Sequence, residues 1–566
     1  MSEPLPQPKR LIEVAFPLRE VSQASLAELH PSRRPHIRFL HWWRARRPLA
    51  ACRAAIFEAL VADPDDEHCP PAFRTLVEEL VPSDYDSYDR EGPHPALRRR
   101  LLGFVADLCK WENSNNQRLL EIARRLVLEA NGGTPPRVLD PFAGGGSIPL
   151  EALRLGCEAH ASELNPVAVL ILKCTVEYPQ KYGRPDSRPV PDYIHEMDRR
   201  DADAKGQQRL TDGDGSWAAA YRRSPLATDV RYWGQWMLER AREELAPYYP
   251  PDPDGRVPMA YLWTRTVKCA NPACGADMPL MRQYWLARKH RKKVALKPDV
   301  DQTSKSVRFI VVEGEATDDT FGKRTVERGN TTCLVCNGLT SARHVRGEAD
   351  EGRMNSKMTS VVLDTKGGKT YRPADPNDRE VFEGAVEEMQ AKASSFDGDY
   401  PLVPDEPARG TFASNAQGGM YGFYTFGRYF NDRQALALTT LVRLAREARA
   451  KMLDRGLDPE RAKAVGTYLG LAADRLADYN CTLARWGNDD EGITNAYSRQ
   501  GLAMVWDFAE ANPLGSRAGS FGWSLTLTQE SIVAAAQTGN ASARVKDSDA
   551  MTLPQDSSSM SSFRNM

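Results

Sequence analysis

Apolar and polar positions recur with different periods along this chain, and the periods predict which segments form strands and which form helices. A short apolar run at 137–139 predicts a strand. Apolar residues at 148, 150, 152, 153 and 155 share the buried side of a predicted helix that stops at Gly156. Residues 157–162 then alternate as a second strand, which ends at Glu163. This order predicts an α/β fold.

Further elements follow from the same patterns. We predict a helix at 232–245, a strand at 260–267, strands within 275–332 such as 307–312, and helices at about 431–453 and 459–478. The predicted helix at 431–453 carries apolar residues along one stripe, at spacings typical of a buried core: Leu436, Leu438, Leu441, Leu444 and Ala445.

The loop between the first two predicted strands is rich in glycine. Three consecutive glycines, Gly144 to Gly146, let the backbone turn tightly against a ligand, and Ser147 is predicted to cap the following helix. Glu163 lies 23 positions after Asp140, close to the offset of about 20 at which an acidic side chain accepts hydrogen bonds from a cofactor ribose. The loop lacks the G-x-G-x-x-G spacing of dinucleotide sites. A nucleotide-type cofactor site is predicted.

The loop resembles the S-adenosylmethionine loop of class I DNA methyltransferases, in which Asp-Pro-Phe-x-Gly-x-Gly-Ser wraps the methionine end of the cofactor. The resemblance implies cofactor contacts from two segments and from a later turn: Asp140, Pro141, Phe142, Ala143, Gly144, Gly145, Gly146, Ser147, Glu163, Leu164, Asn165, Asp549 and Ala550. An unrelated α/β domain with a glycine-rich turn is the alternative.

Residues 11–18, 41–50 and 111–114 resemble one family of large prokaryotic adenine-specific DNA methylases. Those enzymes carry an N-terminal domain of unknown function and an inserted zinc ribbon, and they often accompany phage-defence genes. The resemblance implies a Rossmann-like methyltransferase sheet interrupted by a large insertion with a zinc ribbon and a helical region. It also implies S-adenosylmethionine and zinc as cofactors, DNA as a partner, and defence-system proteins as further partners.

These landmarks divide the chain into five predicted segments. They are a helical N-terminal segment (1–90), the first half of the methyltransferase core (91–185), an insertion for target recognition (186–375), a helical region (376–535), and a return to the core with a truncated tail (536–566).

Composition limits the function classes. A chain of 566 residues with net charge −1, 41% hydrophobic and 27% charged residues, is typical of a soluble multidomain protein without global attraction to DNA. No apolar run approaches the roughly 18 residues that span a bilayer, so no membrane contact is predicted. Ten cysteines are too sparse for a secreted disulfide framework, which predicts a cytoplasmic protein and directs attention to metal binding.

Four of the cysteines are paired in knuckle-like contexts. Cys269 and Cys274 are spaced C-x4-C, and Cys333 and Cys336 are spaced C-x2-C. Four thiolates complete a tetrahedral zinc shell. The first spacing is longer than usual and the segment between the pairs is long, yet the pattern predicts a zinc site.

Two basic clusters are candidates for nucleic-acid contact. Residues 41–53 combine two tryptophans with Arg44, Arg46, Arg47 and Arg53, which suits phosphate contacts or stacking, and equally a helix start with arginine stems over apolar surface. The second cluster follows the first cysteine pair: Arg288, Lys289, Arg291 and Lys292.

The expected catalytic corner is missing from the sequence. Amine-directed methylases use Asp/Asn-Pro-Pro-aromatic, and here the Pro-Pro pairs follow Cys69, Thr134 and Tyr249. The turn at 548–550 is followed by a serine-rich tail, so we expect a truncated or split methyltransferase that is inactive alone, with a second chain carrying the missing half. Two alternatives stay open: a non-catalytic zinc-ribbon DNA-binding scaffold, and an RNA methyltransferase.

Overall fold

The computed structural model describes residues 7–29, 36–43, 45–88, 93–185, 187–203, 216–314, 324–408, 417–498, 502–538 and 542–547. These residues form a mixed α/β protein with helices and several sheets, which confirms the predicted class at this level. Three residues singled out in the sequence, Arg44, Asp549 and Ala550, lie outside the described ranges.

The helices are α1 (Leu18–Glu28), α2 (Leu49–Leu60), α3 (Pro71–Leu80), α4 (Ala96–Leu108), α5 (Gln117–Ala130), α6 (Ser147–Arg154), α7 (Pro166–Leu172), α8 (Tyr178–Tyr182), α9 (Asp192–Asp203), α10 (Trp217–Arg223), α11 (Pro225–Leu245), α12 (Ala342–Asp350), α13 (Pro376–Ser395), α14 (Asp432–Asp454), α15 (Pro459–Tyr479) and α16 (Phe521–Ala536).

The strands are β1 (Arg137–Asp140), β2 (Glu158–Glu163), β3 (Pro258–Lys268), β4 (Asp277–Pro279), β5 (Trp285–Lys289), β6 (Lys292–Asp301), β7 (Ser306–Glu313), β8 (Val326–Glu327), β9 (Asn330–Thr332), β10 (Leu339–Thr340), β11 (Asn355–Thr365), β12 (Gly368–Pro373), β13 (Arg485–Gly487), β14 (Gly492–Thr494), β15 (Asp507–Ala511) and β16 (Ala543–Asp547).

The chain forms two compact units. Unit 1 comprises Met1–Tyr232, Asp458–Tyr468 and Leu527–Met566, and unit 2 comprises Trp233–Leu457 and Leu469–Thr526. The bounds of the five segments proposed from the sequence stay predictions, because the two compact units do not test those bounds.

Unit 1 contains a parallel sheet in the order β1-β2-β16. Leu139 pairs with His160 between β1 and β2, and Asp547 pairs with Glu163 between β16 and β2. The helix α6 connects the first two strands, as the apolar pattern predicted. The third strand comes from residues about 380 positions later in the chain, so only folding brings it beside Glu163.

Helices α2 to α6 surround one apolar core in unit 1. Leu11, Phe57, Phe104, Leu126 and Leu153 are completely or almost completely buried in this cluster. Since β1 and β2 also contribute to it, the helices hold the edge of the sheet and fix where the glycine loop begins.

Unit 2 is built on an antiparallel sheet in the order β12-β11-β3-β15, with β4 also paired to β3. Ten of the eleven residues of β3 are buried, which suits its apolar run at 258–263. The strand β11 was not predicted, because its flanks are rich in charge and glycine. Strand β15 lies within a region predicted as helical, and its pairing with β3 is what makes it a strand.

A buried acidic side chain connects three elements of unit 2. Glu510 accepts hydrogen bonds from Trp263 Nε1 (2.9 Å), Arg433 Nε (2.7 Å) and Asn431 Nδ2 (3.0 Å). The side chains of Glu510 and Arg433 are both 0% exposed. The sequence patch at 506–513, whose role the sequence left unassigned, therefore anchors β15 to β3 and to the start of α14.

Among the residues described, no helix combines the length and the apolar character that crossing a membrane requires.

Candidate functional site

The glycine loop between β1 and α6 adopts backbone angles that favour glycine. Gly144 has φ +50° and Gly146 has φ +84°. The loop is held from behind, because Ala143 N donates to Ser162 O (3.1 Å) in β2 and the Ala143 side chain is buried against Ala161. Two positions of the loop, separated by Gly145, thus require backbone angles that side-chain-bearing residues rarely adopt.

Glu163, at the end of β2, is bonded to this loop and to the turn that follows it. Its Oε2 accepts from Gly144 N (2.9 Å), while its Oε1 accepts from Leu164 N (2.9 Å) and Asn165 N (3.2 Å). A carboxylate has about four acceptor positions. Three N–H groups leave it with capacity for one further donor at the mouth of the loop.

The flanking polar residues of the loop have defined local roles. Asp140 Oδ1 accepts from Phe142 N (3.1 Å), and burial raises the pKa of this carboxyl group. Asn165 caps α7, since its Oδ1 accepts from Val167 N (2.9 Å). The prediction that Ser147 caps α6 was wrong. Gly146 occupies the N-cap position, and the Ser147 hydroxyl donates to the backbone carbonyl of Arg47.

Apolar side chains are exposed beside the loop. Phe142, which follows Pro141, is 77% exposed and Leu164 is 67% exposed, and Val167 and Leu170 on α7 are also exposed. Single exposed apolar residues are common, whereas several around one polar loop are typical of a ligand-binding rim. This rim offers flat apolar contact next to the free acceptor capacity of Glu163.

The segment before α2 lies over the same loop. A Cβ added to Gly144 would lie 2.7 Å from Trp43 Nε1, and one added to Gly145 would lie 3.0 Å from Arg46 Nη2. The Ser147 hydroxyl donates to Arg47 O (2.7 Å). The absence of side chains at Gly144 and Gly145 leaves room for this segment against the loop.

Arg53, the last arginine of the first basic cluster, is buried inside unit 1. The sequence left Arg53 open between phosphate contact and packing over apolar surface, and the structure favours packing, because its side chain is 1% exposed and its Nε donates to Glu151 Oε2 (2.6 Å). Arg53 also donates to Leu108 O (2.8 Å) and Ser114 Oγ (3.1 Å). Its role is to connect α2, α4 and α6 inside unit 1.

The four paired cysteines converge in unit 2. Their sulfur atoms all lie within 4.8 Å of one another. Cys269 Sγ is 3.7 Å from Cys336 Sγ, and Cys274 Sγ is 3.9 Å from Cys333 Sγ. Four thiolates around zinc at about 2.3 Å require sulfur separations of about 3.8 Å. The arrangement can hold a metal ion such as zinc.

Each cysteine pair occupies the turn between two antiparallel strands. The first lies between β3 and β4, and the second between β9 and β10, which are both antiparallel pairs. Gly275 follows Cys274 and Asn337 follows Cys336, and both have positive φ. The two turns bring their cysteine sulfur atoms together. Gly338 N donates to Cys336 Sγ (3.4 Å), which lowers the pKa of Cys336 to about 7 and favours the thiolate that binds metal.

The second basic cluster surrounds the two-residue turn between β5 and β6. Lys289 Nζ (2.6 Å) and Lys292 Nζ (2.5 Å) donate to the carboxylate of Glu491, whose pKa their charges and hydrogen bonds hold at about 2. Arg288 and Arg291 are exposed. A nucleic-acid role for this cluster stays a prediction, and the two arginines rather than the two lysines are its accessible charges.

A segment near the N-terminus contains a buried carboxylate, Glu28, whose hydrogen bonds the sequence did not indicate. Glu28 accepts from His36 Nε2 (2.7 Å) and from the first N–H groups of α2, Leu49 N (3.0 Å) and Ala50 N (3.1 Å). An acidic residue 21 positions before a helix start gives no local signal, since only the tertiary structure makes it the cap of that helix.

Comparison with known proteins finds a family model that matches the part of the chain containing this segment. The model of a family described as proteins of unknown function, DUF1156, matches residues 15–81, which include α1, α2 and α3. No curated protein and no solved structure matches the chain.

Proposed function

We propose that this chain binds S-adenosylmethionine at the glycine loop and serves methyl transfer to DNA, at the N6 amine of adenine. The observation that carries the proposal is the position of Glu163. It closes the strand after a glycine loop, contacts the loop through Gly144 N, and retains acceptor capacity for a ribose hydroxyl.

The charge and shape around the loop suit this cofactor. Two carboxyl groups, Asp140 and Glu163, lie at the ends of neighbouring parallel strands and interact. Their combined negative potential favours a sulfonium cation. The exposed side chains of Phe142 and Leu164 offer apolar contact for an adenine ring, and the S-adenosylmethionine methyl group supplies an electrophile whose transfer requires mainly orientation.

The four-cysteine site fits zinc, and we assign it a structural role. All four positions of a tetrahedral shell are thiolates, as in structural sites, whereas catalytic sites leave one position open. It would hold the two hairpins that carry the cysteines together. Arg288 and Arg291 at the β5–β6 turn are proposed phosphate contacts.

A methyl acceptor needs an oxygen-lined corner that orients the amine. The sequence contains no Asp/Asn-Pro-Pro-aromatic motif. We therefore propose that transfer requires additional polypeptide carrying this corner, and that the chain described here contributes cofactor binding and DNA contact.

The experiment is calorimetric titration of S-adenosylmethionine into the full chain, its Glu163→Gln variant and Glu158→Gln as the matched control on the same strand. Hydrogen bonds to charged groups contribute about 1.5–3 kcal/mol, so Glu163→Gln should raise Kd by roughly 10- to 150-fold while Glu158→Gln leaves it unchanged. Absence of saturable binding by the folded chain would overturn the proposal. Crosslinking of labelled cofactor in the presence of duplex DNA or structured RNA distinguishes the two substrate classes.

A further inference from the structure

A groove of about 570 Å³ follows the outer edge of β16 in unit 1. One wall is the strand itself, at residues 542–546, and the other is the helical segment that contains α8. Among the residues described, β16 pairs with β2 and with no other strand, so the groove runs along a sheet edge. The glycine-loop residues 140–147 are not part of its lining. The groove is therefore separate from the proposed cofactor site.

The main-chain groups of this part of the sheet alternate in direction. In β2, Glu158 N donates toward β1, to Pro136 O (2.9 Å), and Ala159 N donates toward β16, to Ser542 O (3.0 Å). Residue 542 thus turns its carbonyl group to β2, and in a parallel ladder every second residue does the same. The residues between them, Ala543 and Val545, direct their N–H and C=O groups into the groove.

This pattern of main-chain groups fits a peptide better than a nucleic acid. The N–H and C=O groups of residues 543 and 545 recur at about 6.6 Å, since a strand rises about 3.3 Å per residue. An extended peptide presents donors and acceptors at the same repeat, which is how a segment adds to a sheet edge. Phosphate groups could accept from the two N–H groups, but they offer no donor to the two carbonyl groups. The edge therefore favours a polypeptide partner.

The side chains that line the groove are predominantly basic. Arg544 and Lys546 on the strand are both exposed. Lys181 and Arg184 belong to the opposite wall, and the carboxylate in the lining is that of Glu177. Four basic side chains against one acidic side chain make the groove complementary in charge to an acidic ligand.

Two carboxylates near these side chains, but outside the lining, have cations of their own. Glu460, whose charge acts on Lys181, lies 4.0 Å from Lys463 Nζ. Glu158, two residues before the strand partner of Arg544, lies 3.1 Å from His160 Nε2 and 3.3 Å from Arg137 Nε. These pairs leave the positive charge of the lining in place.

Basic residues on an edge strand also serve to prevent unwanted pairing. That role requires charges on the strand alone. Here Lys181 and Arg184 carry the same charge on the facing wall, where they do not protect the edge but lie beside any segment that pairs with it. The two walls together are typical of a strand-addition groove.

We propose that β16 binds an extended, acidic segment of a partner polypeptide, which adds to the sheet at this edge. The main chain of Ala543 and Val545 bonds the segment, and the basic side chains of both walls attract its carboxylates. Residues 542–546 accommodate roughly five residues of the segment, one for each strand residue. The proposal does not rest on cofactor binding, because the glycine loop takes no part in it.

The test is fluorescence anisotropy of a labelled octapeptide that alternates glutamate with threonine, titrated with the full chain at low ionic strength. Binding should be saturable and should weaken as salt is added. An octapeptide that alternates lysine with threonine should bind at least about tenfold more weakly, because its charge is reversed. The glutamate peptide with every backbone nitrogen methylated should lose about as much, because it has no main-chain donors.

Two matched pairs of variants locate the binding. Arg544→Glu should weaken binding of the glutamate peptide at least about tenfold, whereas Arg125→Glu, the same change at an exposed position of α5 outside the groove, should not. Val545→Pro removes an N–H group that points into the groove and leaves the ladder to β2 intact. It should weaken binding about tenfold, whereas Val545→Ala, which keeps the N–H group, should not.

Four outcomes would overturn the proposal, each in variants and wild type with native circular dichroism. The first is no saturable binding of the glutamate peptide, and the second is equal affinity for its methylated form. The third is an equal effect within either pair of variants. The fourth is binding of duplex DNA that depends on Arg544 but is unchanged in Val545→Pro and resists competition by the peptide, which would assign the groove to a phosphate chain.

Discussion

Replacing one metal-site cysteine tests the four-sulfur arrangement of unit 2 most directly. Two of the sulfur separations, 3.7 and 3.9 Å, average about 3.8 Å. Because a tetrahedron's edge is about 1.63 times its centre-to-vertex distance, a regular tetrahedron with edges of about 3.8 Å would hold a central ion about 2.3 Å from each sulfur, which is the zinc–thiolate bond length. Cys274→Ser removes one of the four ligands.

The expected loss is large. Structural zinc sites have apparent binding free energies of about 10–16 kcal/mol, comparable with the whole stability of a domain, about 5–15 kcal/mol. We expect zinc content to fall from one ion per chain to well below one, and the two cysteine hairpins to become sensitive to protease. Cys481→Ser is the matched control, since Cys481 is similarly buried in unit 2 but stands alone.

Two measurements check the reasoning. Elemental analysis gives the stoichiometry, and X-ray absorption at the zinc edge should fit four sulfurs at about 2.3 Å. A wild-type shell with nitrogen or oxygen ligands, or full zinc retention by Cys274→Ser under chelator, would refute it. Equal metal loss in Cys481→Ser would show that general destabilisation, not ligand loss, causes the effect.

Three further predictions concern the loop, the buried ion pair and pH. Gly144→Ala should displace Trp43 and change its fluorescence, whereas Gly133→Ala, also at positive φ but in open space, should cost only about 1 kcal/mol of strain and leave the emission unchanged. Glu510→Gln should lower the free energy of unfolding of unit 2 by about 3–5 kcal/mol in urea, because it leaves a buried arginine unpaired; a loss under about 1 kcal/mol would contradict this. Burial raises the pKa of Asp507 to about 7. Its contribution to the free energy of unfolding should therefore be complete below the pKa of the unfolded chain, about 4, and lost as pH rises through 7. Asp507→Asn should remove this pH dependence from urea titrations.

Local sequence patterns predicted the positions of several helices and strands. Helices α6, α14 and α15 and strands β1, β2, β3 and β7 lie within a few residues of their predicted positions, because apolar period and capping act over a few neighbouring residues. Leu436, Leu441 and Leu444 are buried as the stripe predicted, and Leu438 is half-buried. The cysteine spacing likewise predicted a cluster that the fold brings together.

Other features depend on partners far along the chain. Arg53 looked like a surface charge, yet Glu151, 98 positions away, makes it a core residue. Lys289 and Lys292 looked available for phosphate, yet both donate to the one carboxylate of Glu491, about 200 positions away. A charged side chain has the same sequence signal in both situations, because only the tertiary structure supplies the opposite charge and removes the water.

The glycine loop illustrates which features the sequence determined and which the tertiary structure determined. The sequence by itself determined that three glycines follow a strand and that an acidic residue ends the next one. Only the tertiary structure decided that β16 flanks β2, that Glu163 binds Gly144 N, and that Trp43 and Arg46 lie against the loop. Strand pairing and loop contacts between distant residues are fixed by packing of the whole unit, and local propensity carries no record of them.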